Sequence, residues 1–516
     1  MKPIPQKACF VASALGLLLG FGGCAPRSSS LPKPISTALQ TPPQIGLAGE
    51  LQQAAAAHPG KSGFAVIPSN RAAFTDRVAL ADFAQKTLDV QYFIWSADTI
   101  GRILGDHVIQ AAERGVRVRC LIDDINLKNP DSALAALAAH PNIEVRLFNP
   151  GWFRSQHAFD MLFDFGRFNH RMHNKTMVMD NTCAIIGGRN IADEYFGLND
   201  KFNLRDLDIV AVGPIVRQVS GVFDEFWNSG GAVPIEHLAK DPQAIADFRR
   251  QAAYLREHTQ AERYPFPLAL DLQTIKSHFA DIKRGFIWAR GEVFHNSYDS
   301  LGHPGQGETV LQKLNRELAV AQREVHIEAA YFVMRRRGLE SGQRMLNRGV
   351  KIRVLTNSLA TNDVGPAQAG YARTRDTLLR SGVELYELRP DAAALTSQVA
   401  PHARQARTGV HTKTLVIDGR KSFVGSYNLD PRSAEINSEI GLLVDSEEFA
   451  KRVDAFLGQG IRPENAYRVT LDGRGGLQWQ TTVDGRTRVW QHDPETTAWQ
   501  RLTNYLIGWL PIEDQL

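Results

Sequence analysis

Cysteine is scarce: four residues, at positions 9, 24, 120 and 183, in a chain of 516. Four cannot build a disulfide scaffold, and no two have the spacing of a metal site. An excess of one charge is also missing. Lys+Arg 59 against Asp+Glu 55 leaves a net +4, whereas a nucleic-acid partner usually needs a strongly basic domain or stripe. No nucleic-acid partner is therefore expected. After residue 24 there is no run of about 18 apolar residues, which excludes a polytopic membrane protein. The rest is ordinary, with 43% hydrophobic and 22% charged residues. Those fractions set aside disordered, collagen-like and coiled-coil chains. The length allows two or three domains with sizeable cores.

The N-terminus has the three-part layout of a secretory signal. Lys2 and Lys7 precede an apolar run from Ala8 to Gly23, broken only by Ser13, and Cys24 follows. Gly22-Gly23-Cys24 resembles a bacterial lipoprotein cleavage site, with Phe21 where Leu is usual. Cys24 is then the lipidated residue of a periplasmic, membrane-anchored lipoprotein. The alternative is an uncleaved anchor helix. Ala25 in place of Asp favours the outer over the inner membrane. Residues 25–48 are rich in Pro, Ser and Thr and read as a flexible tether.

The body of the chain repeats itself. Leu88–Trp95, a helical stretch and Arg114-Gly-Val-Arg-Val-Arg-Cys-Leu-Ile-Asp123 match Val325–Val333, a helical stretch and Arg348-Gly-Val-Lys-Ile-Arg-Val-Leu-Thr356. Each copy reads strand–helix–strand, a βαβ unit with a parallel sheet. The offset, Arg114 to Arg348, is 234 residues, so the chain holds two homologous domains rather than a solenoid. The division expected is 1–24 signal, 25–48 tether, 49–230 first domain, 231–299 connecting segment, 300–460 second domain and 461–516 C-terminal extension. Asp472-Gly473 and Asp484-Gly485 are hairpin signals, so 465–500 reads as a small β meander. The apolar tail Tyr505–Pro511 reads as packed on the body, with an interfacial membrane contact as the sharper alternative.

A second repeat carries the chemistry. His173-Asn-Lys175-Thr-Met-Val-Met-Asp180 precedes Gly187-Gly-Arg-Asn190, and His411-Thr-Lys413-Thr-Leu-Val-Ile-Asp418 precedes Gly425-Ser-Tyr-Asn428. A single H-x-K-x4-D arises by chance about once per 10^4 positions. Two copies with the same downstream Gly and Asn lie far beyond chance. His and Lys two apart on a strand point the same way. If the two halves meet about a pseudo-twofold axis, two His, two Lys and two Asn surround one point. That set suits a phosphodiester and its transition state. One His attacks phosphorus and the other protonates the leaving alkoxide. The lysines supply the positive charge, so no metal and no cofactor are expected. Asn190, Asn428 and Ser426 are candidate phosphate donors. Each His needs an orienting carboxylate; Asp206 and Glu439, each just before an apolar run, are the candidates. Asp180 and Asp418 belong to the motif and are grouped with its catalytic set, although their strand-end position reads as structural.

The doubled pattern resembles that of the phospholipase D superfamily. Phe168–Lys175 with Gly187–Phe196 looks more narrowly like bacterial cardiolipin synthases, and Thr356–Asp363 with Leu510-Pro-Ile-Glu513 like their C type. The resemblance spans roughly 60–516. It implies an α/β fold of two phospholipase D-like βαβ sandwich domains with pseudo-twofold symmetry, plus a small C-terminal β appendage. It also implies a ping-pong reaction through a phosphatidyl–histidine, with His173 as nucleophile and His411 as general acid and then base. Phospholipids such as phosphatidylglycerol and phosphatidylethanolamine, at a membrane surface, are the implied partners; the need for an accessory protein stays open.

The leading reading is a phosphatidyltransferase making cardiolipin or a related phospholipid. A phospholipase D using water is the alternative, with an extracytoplasmic nuclease third. Arg335-Arg-Arg337 reads equally as a headgroup contact or a solvated loop. His157, His170 and His402 read as surface or packing residues. Cys120 and Cys183 read as buried thiols.

Overall fold

The computed structural model describes residues 32–510 apart from 128–130, 154–156, 240–242, 244–249, 251–271, 303–306, 393–398 and 484. The signal-type segment, Cys24 and residues 25–31 of the expected tether lie outside the described residues.

The first half opens with α1 (Gly46–Ala56), β1 (Ser62–Ile67), α2 (Asn70–Phe83), β2 (Thr87–Tyr92), α3 (Thr99–Glu113), β3 (Arg117–Asp123) and β4 (Ile143–Phe148). It continues with α4 (His157–Phe163), β5 (Thr176–Met179), β6 (Cys183–Gly187), β7 (Phe202–Arg205), β8 (Asp208–Val212), α5 (Pro214–Asn228) and β9 (Ala232–Pro234). The second half holds β10 (Ile287–His295), β11 (Glu324–Ala329), α6 (Arg336–Asn347), β12 (Lys351–Asn357), α7 (Gly365–Ser381) and β13 (Glu384–Leu388). After these come β14 (Arg407–Val410), β15 (Lys413–Ile417), β16 (Lys421–Gly425), β17 (Ile440–Asp445) and α8 (Glu447–Gly460). The chain closes with β18 (Ala466–Leu471), β19 (Leu477–Val483), β20 (Arg486–Trp490) and α9 (Ala498–Ile507).

Local chemistry sets the repeat. α3 and α6 each stop at an Arg-Gly pair whose glycine, Gly115 or Gly349, has φ +92° or +84°. Only glycine adopts that left-handed cap without strain, and it turns the chain into the next parallel strand. The start of α3 is fixed by Asp98, whose side chain accepts from the Gly101 N–H.

Eighteen strands form one sheet. Its order is β9-β4-β3-β2-β5-β6-β8-β1, then β10-β17-β16-β15-β11-β12-β13-β18-β19-β20. The order reads alike from either side of the β1–β10 junction, which is the pseudo-twofold relation. The parallel stretches are β2-β3-β4 and β11-β12-β13. Their C-terminal ends define one edge in each half. The sheet folds so that both halves share a core: Phe64, Ile186 and Ile209 pack with Val424, Leu442 and Val444, between Phe223 of α5 and Phe456 of α8. Each such side chain contributes about 1.5–3 kcal/mol by burial, so the halves form one body.

Three expectations change. Residues 32–39 are no free tether; they form a strap across the first half. Buried Arg119 and Arg146 donate to the carbonyls of Ser36 (2.9 Å) and Pro34 (2.6 Å), and Trp227 donates to the Ser36 hydroxyl at 2.9 Å. Buried guanidiniums need acceptors, and a proline-rich segment with bare carbonyls supplies them. The segment 231–299 is more than a connector, because β9 and β10 lie in the sheet and β10 joins the halves. The β meander extends the second half's sheet, with β18 on β13 where β9 sits on β4.

The motif glycines sit where strands pass closest. A Cβ on Gly425 would strike the Ile440 carbonyl, and one on Gly187 the Leu207 carbonyl and Asp208. Gly425→Ala is expected to cost at least about 2 kcal/mol in denaturant unfolding; unchanged stability would contradict this packing.

Candidate active site

The two copies of the motif meet across the halves through short strand pairings. β14 runs parallel to β7, with Val410 opposite Arg205, which sets His411 beside Asp206. Met172 bridges Ser438 in the same sense and sets His173 beside Glu439. Each imidazole is therefore held by a carboxylate from the other half. His173 Nδ1 lies 3.0 Å from both Glu439 oxygens, and His411 Nδ1 lies 2.6 Å from Asp206 Oδ2. With Nδ1 engaged, Nε2 of each ring is left for substrate. Both histidines are under a tenth exposed. Phe93 stacks edge-on to His173 and Tyr195 edge-on to His411, both with centroids 4.9 Å apart.

Lys175 donates to the His173 carbonyl at 2.7 Å, and Lys413 to the His411 carbonyl. Both ammoniums are buried, and both act on both imidazoles. Burial, then these cations, hold both histidines well below their usual range. Burial also brings Lys413 down to about 8 and Lys175 well below its ordinary value. The carboxylates move the other way: burial pushes Glu439 up to about 8 and raises Asp206.

Other predicted residues take different places. Ser426 is not aimed at a phosphate. Its oxygen accepts from the Ile440 N–H at 3.0 Å, which directs its O–H to Glu439. Ser433, which sequence reasoning missed, does the same. It accepts from the Asn428 N–H at 3.3 Å and donates to Glu439 at 2.7 Å. Asn190 has its oxygen on the Ile94 N–H (3.1 Å) and donates to the Tyr195 hydroxyl (2.9 Å). The buried Asn428 Oδ1 has no partner among the described residues. Asp180 accepts from the N–H groups of Gln85, Lys86 and Thr87 at 2.7–2.9 Å, and Asp418 from those of Gln322, Arg323 and Glu324. Both carboxylates tie the strand that carries the motif to its neighbour and lie at its far end from the site. Arg432, also missed, donates from the second half to the Asn169 side chain and carbonyl at 2.8 Å. His170 meets the Ile436 carbonyl (2.9 Å) and His402 the Leu198 carbonyl (2.8 Å), which makes both packing residues.

Comparison with known proteins agrees with this architecture. The family model described as cardiolipin synthase, PLD-like domain, matches twice, at 78–227 and 314–459. The chain therefore belongs to the phospholipase D-like superfamily. Within it, the chain is a cardiolipin synthase-like enzyme: it is 36% identical over 466 residues to cardiolipin synthase C of Escherichia coli, covering 88% of this chain and 96% of that one. It is also 24% identical over 434 residues to cardiolipin synthase B of the same organism, covering 83% and 85%. Among solved structures, the phosphatidylserine synthase of Haemophilus influenzae has the same fold. Its TM-score is 0.55 at 12% identity, covering 90% of this chain and all of that one.

If Ser426 serves to hold Glu439, Ser426→Ala lowers turnover about tenfold and leaves KM unchanged. A rise in KM with constant kcat would instead mean that the hydroxyl contacts substrate.

Proposed function

We propose that the protein transfers a phosphatidyl group from one phospholipid to the hydroxyl of a glycerol-bearing acceptor, with cardiolipin as product when the acceptor is phosphatidylglycerol. The observation that carries this is the pair of imidazoles, each fixed through Nδ1 by a buried carboxylate, with both buried lysines acting on both rings. Two imidazoles of that kind can serve as nucleophile and proton carrier for one phosphorus atom.

His173 Nε2 attacks phosphorus and the bond to the donor headgroup oxygen breaks. His411, as imidazolium, passes its proton to that oxygen and the alcohol leaves. The acceptor hydroxyl then gives its proton to His411 and attacks phosphorus, and the P–N bond to His173 breaks. Burial and the lysine field keep the free imidazoles neutral, which suits the nucleophile. When the phosphodiester anion binds, it offsets that field, and Asp206 supports the imidazolium of His411. Lys175, Lys413 and Asn428 face the charge that grows on the equatorial oxygens. The same reading has the chain held at a periplasmic membrane face through a lipidated Cys24, tested by the mass of its N-terminal peptide.

The test supplies labelled phosphatidylglycerol and phosphatidylethanolamine in mixed micelles with no added metal. Cardiolipin from the wild type, absent with His173→Ala, is the expected result. Phosphatidic acid alone would make the protein a hydrolase, and neither product would reject the lipid reading. kcat/KM is expected to fall above about pH 8, where Lys413 loses its proton and its charge. A profile flat to about pH 10, the ordinary range for lysine, would show that this charge is not used.

A further inference from the structure

The edges that carry the site also carry an apolar surface. In the first half the chain leaves β4 at Phe148 and loops out through α4. It returns at Arg167 and His170, whose carbonyls accept from the Asn149 side chain at 2.8 Å each. His173 follows His170 by three residues. Phe153, Phe159 and Phe163 on this loop pack on one another with centroids 5.6–6.4 Å apart. All three stay exposed, as do Trp152 and Leu162, the latter at 70%. The cluster is preformed and faces outward, contrary to the usual fate of phenylalanine.

The second half supplies a matching surface. α7 begins at Gly365, just beyond the C-terminal end of β12, which is the edge of the site. The end of α9 packs there: Ile507 lies against Gly365, and Arg373 donates to the Gly508 carbonyl at 2.9 Å. Trp499, Leu502, Leu506 and Trp509 follow one another at helical spacing and are 46–74% exposed. The tail expected to pack on the body instead turns its large side chains outward. On the same edge Arg335, Arg336 and Arg337 open α6, and Arg336 and Arg337 are exposed. Arg335 pairs with Glu435 at 2.8 Å and Arg336 lies 3.7 Å from Glu340. Cations at a helix N-terminus oppose the helix dipole, and the outward guanidiniums of Arg336 and Arg337 are placed to meet an anionic surface.

We propose that these elements form one docking face for an anionic phospholipid bilayer, with the mouth of the site between them. The proposal rests on the lipid-transfer reading above and specifies how the site reaches its substrate. Trp, Phe and Tyr beside Arg is the composition that settles at the headgroup level, and exposed arginines add attraction to anionic lipid. Apolar contacts from both halves hold the site's edge against the surface, so a phospholipid enters headgroup-first without crossing water.

The test uses the full chain and vesicles of phosphatidylglycerol and phosphatidylethanolamine containing bromine-labelled acyl chains. Residues 1–31 contain no tryptophan, so quenching of tryptophan emission reports the body and not a membrane-held N-terminus. Wild-type emission is expected to be quenched. The combined Trp152→Phe, Trp499→Phe and Trp509→Phe variant should lose most of that quenching, which would assign it to the exposed tryptophans. Phe159→Ser with Phe163→Ser, and Leu506→Ser with Trp509→Ser, should each lower turnover of vesicle phospholipid about tenfold. Turnover of a short-chain soluble phospholipid should stay unchanged in both. Arg336→Glu with Arg337→Glu should weaken binding to anionic but not to phosphatidylcholine vesicles. Absent quenching, equal loss on soluble and vesicle substrate, or a wild-type dimer that the α9 variants dissociate would overturn the proposal. If the wild type turns over neither substrate, the transfer reading fails, and the quenching still decides the docking face.

Discussion

The site depends on two imidazole–carboxylate hydrogen bonds that cross between the halves of the chain. Glu439 belongs to the second half and holds His173 of the first; Asp206 belongs to the first and holds His411 of the second. Neither half contains an oriented histidine of its own. The shared core and the β1–β10 seam therefore do more than stabilise the body. They fix the tautomer and direction of both rings, so chemistry is conditional on the halves being joined. Because both halves lie in one chain, a second copy is not needed to complete the site.

The same crossing explains the electrostatics. Two lysines, two carboxylates and two histidines share a volume nearly closed to water. Charges so buried are tolerated only when paired and hydrogen-bonded. Glu439 accepts from two hydroxyls whose own orientation is set by backbone N–H groups. Asp206 accepts from the Leu207 N–H at 2.8 Å as well as from His411. Each lysine donates to the carbonyl of the histidine it accompanies. With both imidazoles neutral, two ammoniums stand against two carboxylates, and what the imidazoles feel is the positive field of Lys175 and Lys413, which a phosphodiester would offset.

Much of this was legible in the sequence, because spacing is a strong signal. The doubled H-x-K-x4-D and the Arg-Gly-Val stop of each helix identify two copies of one unit. The apolar runs after Asp206 and Glu439 mark strands whose first turn reaches the site. The sequence held nothing on which histidine each carboxylate would meet. That depends on β7 and β14, two four-residue strands without a pattern of their own, and on the single Met172–Ser438 bridge. Ser426 was read as a phosphate donor since it flanks the motif glycine; the Ile440 N–H, distant in sequence, turns its hydroxyl the other way. β10 was hidden because Arg290, Gly291 and Glu292 interrupt its alternation. Residues 32–39 looked solvated by composition, whereas their carbonyls bind the buried arginines.

That strap changes the length of any link to a membrane. From Cys24 to Pro32 is eight residues, about 28 Å when fully extended. A chain held by lipid at Cys24 would thus keep its body within a few nanometres of the surface. At that range the substrate supply is the lateral density of phospholipid, not a bulk concentration. The search for a second lipid is then two-dimensional and intramolecular in character, with the effective concentration set by those eight residues.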